Sequence, residues 1–264
     1  EIKDPVQTLD LWSGRVTSRF MVDDVPVSVE TVCHPDRDLV SAIISSPLIS
    51  ERRLMVRIDF PLGISAPAGY DLNSPDGHAT ELISSSDSET LIGRTQDDDS
   101  YFVKVLHPDS RFEASGKHQF LLISDNDSIM EFSCQFGKEK EDGQLPDFSA
   151  AAEAGRIGWE KFWMSGGAVD FSACTDPRAF ELERRVVLSQ YLTKLQCSGS
   201  LPPAETGLTY NSWYGKFHLE MHWWHAVHFA MWQREEILEK QMEYYFNISD
   251  NARKTAAGQG YRGV

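Results

Sequence analysis

Hydrophobic and polar residues alternate with a period of two from about residue 8 to residue 136, and the period changes beyond the stretch GKEKEDGQLPDF (137–148). In RLMVRIDF, Leu54, Val56, Ile58 and Phe60 share one face, and Met55, Arg57 and Asp59 share the other. MEFSCQF sets Met130, Phe132, Cys134 and Phe136 against polar residues in the same way. This is the pattern of half-buried antiparallel strands. RVTSRFMV, VPVSVETV, LVSAIIS, YFVKVL and HQFLLIS read alike, separated by turn-forming clusters such as VDDVP, HPDRD, NSPDGH and SDND. The expected result is an antiparallel β-sandwich over residues 1–148.

Downstream the pattern becomes helical. SAAAEAGRIGWEKFW is rich in Ala and places Ile157 with Lys161, and Trp159 with Trp163, one turn apart, which predicts a linker helix over 149–168. From Thr175 the chain is helical again. Thr175 or Asp176 can cap, Pro177 suits the first turn, Phe180, Val187 and Tyr191 follow at helical steps, and Gly199 can close the end. A second helix is predicted from about 217 to 232 and a third from near Arg234. Between the first two lies SGSLPPAETGLTYNSWYGKF (198–217), which has no periodicity; long loops in compact helical domains are usually functional or mobile.

A length of 264 residues with 41% hydrophobic content allows one or two domains. The formal net charge is -15, and Lys and Arg never form a run of five, which argues against a nucleic-acid partner and favours a neutral or cationic ligand. Cys33, Cys134, Cys174 and Cys197 stand far apart without a CxxC pair, so a zinc ribbon or thioredoxin-type motif is excluded. No apolar run approaches the roughly 20 residues of a membrane span, so no membrane partner is expected. EIKDPVQTLD lacks the basic and apolar signature of a signal peptide. A signal removed in processing is compatible with this, and a periplasmic or secreted location is preferred over a cytoplasmic one.

The densest chemistry lies in GKFHLEMHWWHAVHFAMW (215–232), which holds four of the eight His and three of the seven Trp. On a helix, His218, His222, His225 and Phe229 fall on one stripe, and Leu219, Trp223, Val227, Ala230 and Met231 fall roughly opposite. Histidines at i, i+4 and i+7 raise the question of a metal. HExxH is absent, however, and three stacked imidazoles span about 10 Å at 1.5 Å per residue, which keeps them from one ion. No metal is expected. His225, His228 and Trp232 read as packing in a crowded inner helix.

The helix start differs. Lys216, His218, Glu220 and His222 gather beside Trp213, Trp223 and Trp224 where the long loop enters, near unsatisfied backbone N–H groups. Aromatic faces with charged hydrogen-bonding groups suit a sugar, whose C–H face stacks while its hydroxyls take directional bonds. A polar cluster that merely ties the loop to the helix is the competing reading.

These residues carry a family resemblance. GLTYNSWYGKFHLEMHWWHAVHFAMWQREEILE, followed by YYFNISDNARKTAAGQGYRGV, resembles the first helical hairpins of the six-hairpin glycosidases, especially maltose phosphorylase and its relatives. That family has a Gly-His-x-Phe-Trp-Asp-x-Glu segment, then an Arg-containing helix, an Ala-Arg pair and a Gly-Tyr-x-Gly-Ala turn. Gly215 matches the first glycine, Glu220 stands at the sugar-binding Asp, Ala252 and Arg253 match the pair, and Gly260, Tyr261 and Gly263 match the turn. The stretch also resembles the α-1,2-L-fucosidase family, whose Met-Asn-Tyr-Trp segment aligns with Met221, His222, Trp223 and Trp224. Lys216 and His218 then occupy positions of active-site asparagines. Lys216 replaces the first family's His and Leu219 its Trp, so neither substrate specificity carries over.

The resemblance implies a multidomain β + α chain: an N-terminal antiparallel β-sandwich, a linker helix, then the first hairpins of an (α/α)6 barrel over 169–264. It implies cleavage of a glycosidic bond in an oligosaccharide or glycoside by an inverting route, with hydrolysis the first choice. An inverting disaccharide phosphorylase is the alternative, and only then is inorganic phosphate needed; no other cofactor is implied. A non-catalytic carbohydrate-binding protein is the rival from another class. The general acid, a Glu, is expected beyond residue 264, so no catalytic residue is named. The expected substrate-binding residues are Trp213, Lys216, His218, Glu220, His222, Trp223 and Arg262, the last beside the family-like turn. The implied partners are the remaining barrel helices and, by analogy with maltose phosphorylase relatives, a second subunit of a homodimer. A helix as aromatic as 217–232 also needs neighbours on every side, so further helices are expected to cover it.

Overall fold

A computed structural model describes residues 1–65, 69–124, 126, 128–207 and 213–262. Gly263, one of the family-like turn positions, lies outside the described residues. The chain divides into two compact units, Glu1–Phe162 and Trp163–Val264.

The first unit holds β1 (Ile2–Asp10), β2 (Arg15–Val22), β3 (Val25–Cys33), β4 (Leu39–Ser45), β5 (Val56–Asp59), β6 (Leu62–Gly63) and β7 (Tyr70–Asp71). It continues with β8 (His78–Ser85), β9 (Glu89–Gln96), β10 (Asp99–Leu106), β11 (Ser110–Gly116), β12 (Gln119–Ser124) and β13 (Ile129–Gly137). The strands form an antiparallel sheet of order β1-β2-β3-β4-β13-β10-β9-β8, a three-stranded sheet β11-β12-β5 and a small ribbon β6-β7. The hairpin between β2 and β3 turns on Asp23 and Asp24, both with positive φ (50° and 62°). Two adjacent left-handed residues match the right-handed twist of the flanking strands, and Asp tolerates that conformation better than most residues.

The main core contains Ile44, Ile92, Val103, Val105, Met130 and Cys134 from the large sheet and Phe120 and Leu122 from the small one. Val56 and Ile58 pack against it, while Met55 on the opposite face is exposed, as the alternation in RLMVRIDF requires. The central strands depart from the half-buried expectation. In β13, Ser133 and Gln135 are buried as well as Met130 and Cys134. The cause is α1 (Phe148–Met164), whose Phe148, Ala151 and Ala152 form a second cluster with Val32, Leu39 and Leu145. Burying both faces requires the polar side chains to find partners, and the Ser133 hydroxyl donates to the Pro146 carbonyl at 2.7 Å.

Helix α1 begins where Asp147 accepts the Ala150 N–H through its carboxylate at 2.8 Å, an N-cap. Its buried residues Phe148, Ala151, Ala152, Gly155 and Phe162 follow the helical repeat. Gly155 allows close approach to β3: a Cβ there would sit 3.0 Å from the Cys33 carbonyl oxygen.

The second unit contains α2 (Ala179–Cys197), a 3-10 turn at Trp213–Gly215, α3 (Leu219–Met231), α4 (Glu235–Asn247) and α5 (Ser249–Gly258). α2 starts later than the cap reading at Thr175 or Asp176. Asp176 instead closes a turn ahead of the helix, its carbonyl accepting the Ala179 N–H and its carboxylate the Arg178 N–H. α3 also starts two residues after the expected position, because His218 is still extended (φ -123°, ψ 134°) and acts as the N-cap residue. Cys197, Ala226 and Phe229 form a small core with Ile237 and Leu238, which joins the end of α2 to α3 and α4. No helix among the described residues is long and apolar enough to cross a membrane.

Candidate functional site

The 3-10 turn that precedes α3 brings an indole, an imidazole and a carboxylate together. Trp213 has a positive φ of 50°. The left-handed region is unusual for a bulky residue and costs on the order of 1–3 kcal/mol, so the surroundings must hold it there. The side chain is nevertheless 62% exposed. Its ring meets the His218 ring edge-on, with centroids 6.0 Å apart and planes at 85°. His218 Nδ1 in turn pairs with the Glu205 carboxylate.

Glu205 comes from the loop ahead of the turn. Its backbone N–H donates to the Lys216 carbonyl at 3.1 Å, which clamps the loop to the entrance of α3. Phe217 anchors the same entrance on α4 by edge-on contacts with Tyr244 (5.2 Å) and Tyr245 (6.3 Å). Strain at Trp213, an exposed ring and the His218–Glu205 pair are therefore held by packing on one side and backbone bonds on the other. Such an arrangement offers a flat apolar surface beside directional donors and acceptors.

The other expected residues separate into groups. Lys216 belongs to the turn through its backbone and has an exposed side chain. Glu220 and Trp223 lie one turn apart on the exposed side of α3, and Trp223 is 63% exposed. Arg262 follows α5 and is exposed.

His222 is a correction. It is buried, and both of its ring nitrogens are engaged inside the protein. Gln241 donates its amide to the Cys197 carbonyl and, at 3.3 Å, to the Gly199 carbonyl, so its own oxygen faces His222. His222 Nε2 therefore donates to Gln241 Oε1 at 2.7 Å, and Nδ1 accepts from the Tyr245 hydroxyl at 2.7 Å. Burial, then the neighbouring Tyr244, pushes the Tyr245 phenol above its ordinary pKa, so it stays a donor. This network locks α3 to α4 and leaves His222 no nitrogen for a sugar hydroxyl or a metal. Among the described residues no group of three or more His, Cys, Asp or Glu side chains could hold a metal ion.

Glu205 is the residue that sequence reasoning missed. It is the one acidic side chain in the 198–217 stretch, which is the signal that could have marked it.

No protein-family model and no curated protein matches the chain. A solved structure described as "Putative kojibiose phosphorylase from human microbiome" is similar in fold, with a TM-score of 0.54 at 9% sequence identity. The match covers 81% of this chain and 32% of that one, so the chain spans less than two thirds of that structure's length. At this identity the likeness concerns the fold, an antiparallel β-rich N-terminal region followed by helices.

Proposed function

We propose that the chain is part of a carbohydrate-active enzyme that cleaves a glycosidic bond, and that the turn entering α3 forms one wall of the subsite for a terminal sugar. The observation that carries this reading is the exposed Trp213 indole held edge-on to the His218–Glu205 pair. Trp213 offers a stacking face for the C–H side of a pyranose, while His218 and Glu205 offer hydrogen bonds to its hydroxyls. Lys216, Glu220 and Trp223 extend the same wall, and Arg262 is a further candidate from the segment after α5. His222 acts from behind by holding α3 in place.

The fold likeness supports the reading, because the neighbour is described as a phosphorylase. So does the exposure of α3. Leu219 (69%), Trp224 (69%) and Met231 (75%) are exposed far beyond what a stable apolar helix face tolerates alone. We take these side chains to be the seam against which the remaining helices of an (α/α)6 barrel pack. Cleavage then proceeds by inversion, with a Glu supplied from outside these 264 residues protonating the leaving oxygen and water attacking the opposite face. In the phosphorolytic alternative, which the description of the fold neighbour favours, inorganic phosphate takes the place of water.

Product analysis by NMR separates the readings, with α-linked disaccharides and aryl glycosides supplied to a chain that carries the following hairpins, with and without phosphate. Free sugar without phosphate is expected for the hydrolase, and a sugar phosphate formed only with phosphate for the phosphorylase. Absence of turnover with retained sugar binding would leave a binding protein and overturn the enzyme reading.

A further inference from the structure

The β-rich unit contains a second polar assembly, remote in sequence from α3. Arg94 on β9 is only 3% exposed and spreads its guanidinium among four acceptors. Nη1 reaches His78 Nδ1 (2.7 Å), the Thr80 hydroxyl (2.7 Å) and the Ala79 carbonyl (3.1 Å), and Nη2 reaches the Pro61 carbonyl (3.1 Å). His78 and His118 stack with centroids 3.8 Å apart. The two rings also hold the segment that links β7 to β8: His78 Nε2 meets the Ser74 carbonyl at 3.2 Å, and His118 Nε2 meets the Pro75 carbonyl at 2.9 Å.

Carbonyl oxygens only accept, so both Nε2 atoms carry protons. The Nδ1 of His78 is then an acceptor from Arg94, and that of His118 meets the Thr80 hydroxyl at 2.8 Å. The His78 imidazole is neutral in this arrangement. A second proton on His78 would sit on Nδ1, pointing at a guanidinium donor 2.7 Å away, with the His118 ring stacked against it. Among the described residues the recorded partner of that nitrogen is the guanidinium, which offers no acceptor.

The charged groups around the pair do not cancel this conflict. Asp76 is drawn to Lys117 at 2.8 Å, and both side chains are largely exposed, where solvent screens them. Asp59 pairs with Arg57 at 2.9 Å. The Asp71 carboxylate is held by the Asn73 N–H (2.8 Å) and the Ser74 hydroxyl (2.5 Å). Burial, then the charges of His118, Arg94 and Lys117, against the backbone bond to Ser74, hold the His78 imidazole below its ordinary value of 6.5. A depressed histidine pKa means that the released state binds more protons as pH falls. The closed state is therefore at full strength above pH 6.5 and weakens below it.

Asp71, Asn73 and Ser74 of the segment 71–77 line a cavity of about 230 Å³, together with Asp59, Phe60 and Pro61. We propose that His78 and Arg94 form a proton-operated latch, in which protonation of His78 releases the 71–77 strap and opens the cavity that the strap helps to line. The balance is one proton taken from solvent onto His78 Nδ1, with loss of the Arg94 bond; the ring turns away from the guanidinium and in turning gives up the Ser74 carbonyl.

Hydrogen exchange read by mass spectrometry tests the latch, corrected for the intrinsic effect of pH on exchange. Amides of 71–77 are expected to exchange about ten-fold faster near pH 5 than near pH 7.5, while β9 and β10 stay protected at both. His78→Gln keeps an acceptor and a donor but does not titrate, so its strap is expected to stay closed at both pH values. NMR titration of the wild-type His78 ring gives a reading that does not depend on how the variant folds. Ring protonation and strap opening at one midpoint support the latch. Equal strap protection at both pH values, acid opening that persists in a folded His78→Gln, or opening that does not follow the His78 ring would overturn it.

Discussion

Gln241→Leu is expected to destabilise the helical unit by about 3–5 kcal/mol, the upper range for a single substitution. Gln241 is fully buried, and its amide satisfies the Cys197 and Gly199 carbonyls and the His222 Nε2 proton at once. Leucine has nearly the same volume, so little of the loss comes from a cavity. It comes from the Cys197 carbonyl and the His222 Nε2 proton, left without this partner in the buried interior, with a smaller share from the Gly199 carbonyl nearer the surface. The triple variant His222→Leu, Gln241→Leu and Tyr245→Phe removes the stranded His222 and Tyr245 groups, leaves the two backbone carbonyls, and is expected to recover part of the loss. Cys197 provides the readout. It is buried within this unit, and burial pushes its thiol up to about 11, so alkylation requires opening. A loss of this size raises its labelling rate by roughly two to four powers of ten.

Arg94→Met is expected to destabilise the β-rich unit by a similar amount, about 3–5 kcal/mol. The guanidinium is buried, lies 5.3 Å from the centre of the Phe60 ring and serves His78, Ala79, Thr80 and Pro61 together. Methionine fills much of the same space but returns none of the donors. Cys134 reports on this unit as Cys197 does on the other, since burial pushes its thiol up to about 12. Mapping both thiols in one labelling experiment makes each the control for the other variant. Arg94→Met accelerates Cys134, and Gln241→Leu accelerates Cys197. Unchanged labelling of the matching thiol would show that the buried network contributes little.

The legible parts of this protein are those whose partners are near in sequence or repeat along it. β2, β4 and most of β3 follow from alternation and from the Asp23–Asp24 turn, and α1 from its Ala-rich repeat. β9 is harder to see because Gly93 interrupts it and Arg94 is a charge at a buried position. That charge makes sense only once Thr80 and His78 stand on the adjacent strand β8. The density of Trp and His around 213–224 marked the entrance of α3, and Trp213 and His218 do meet there. His222 looked the same in the sequence, yet its fate depends on Gln241 and Tyr245, which lie 19 and 23 residues away on another helix. Glu205 escaped notice for the same reason, since its pairing with His218 requires a loop to fold back.

Recognition of a sugar at the entrance of α3 is tested most directly by saturation-transfer NMR between this chain and α-linked disaccharides. Wild type is compared with Trp213→Ala and Glu205→Gln. Trp213 is exposed, so its replacement is expected to leave the amide spectrum of the folded chain nearly unchanged. The expected result is transfer to the C–H protons of one sugar ring, reduced about ten-fold or more by Trp213→Ala and more modestly by Glu205→Gln. Absence of transfer to any disaccharide, or transfer that Trp213→Ala leaves intact, would contradict the sugar-binding wall.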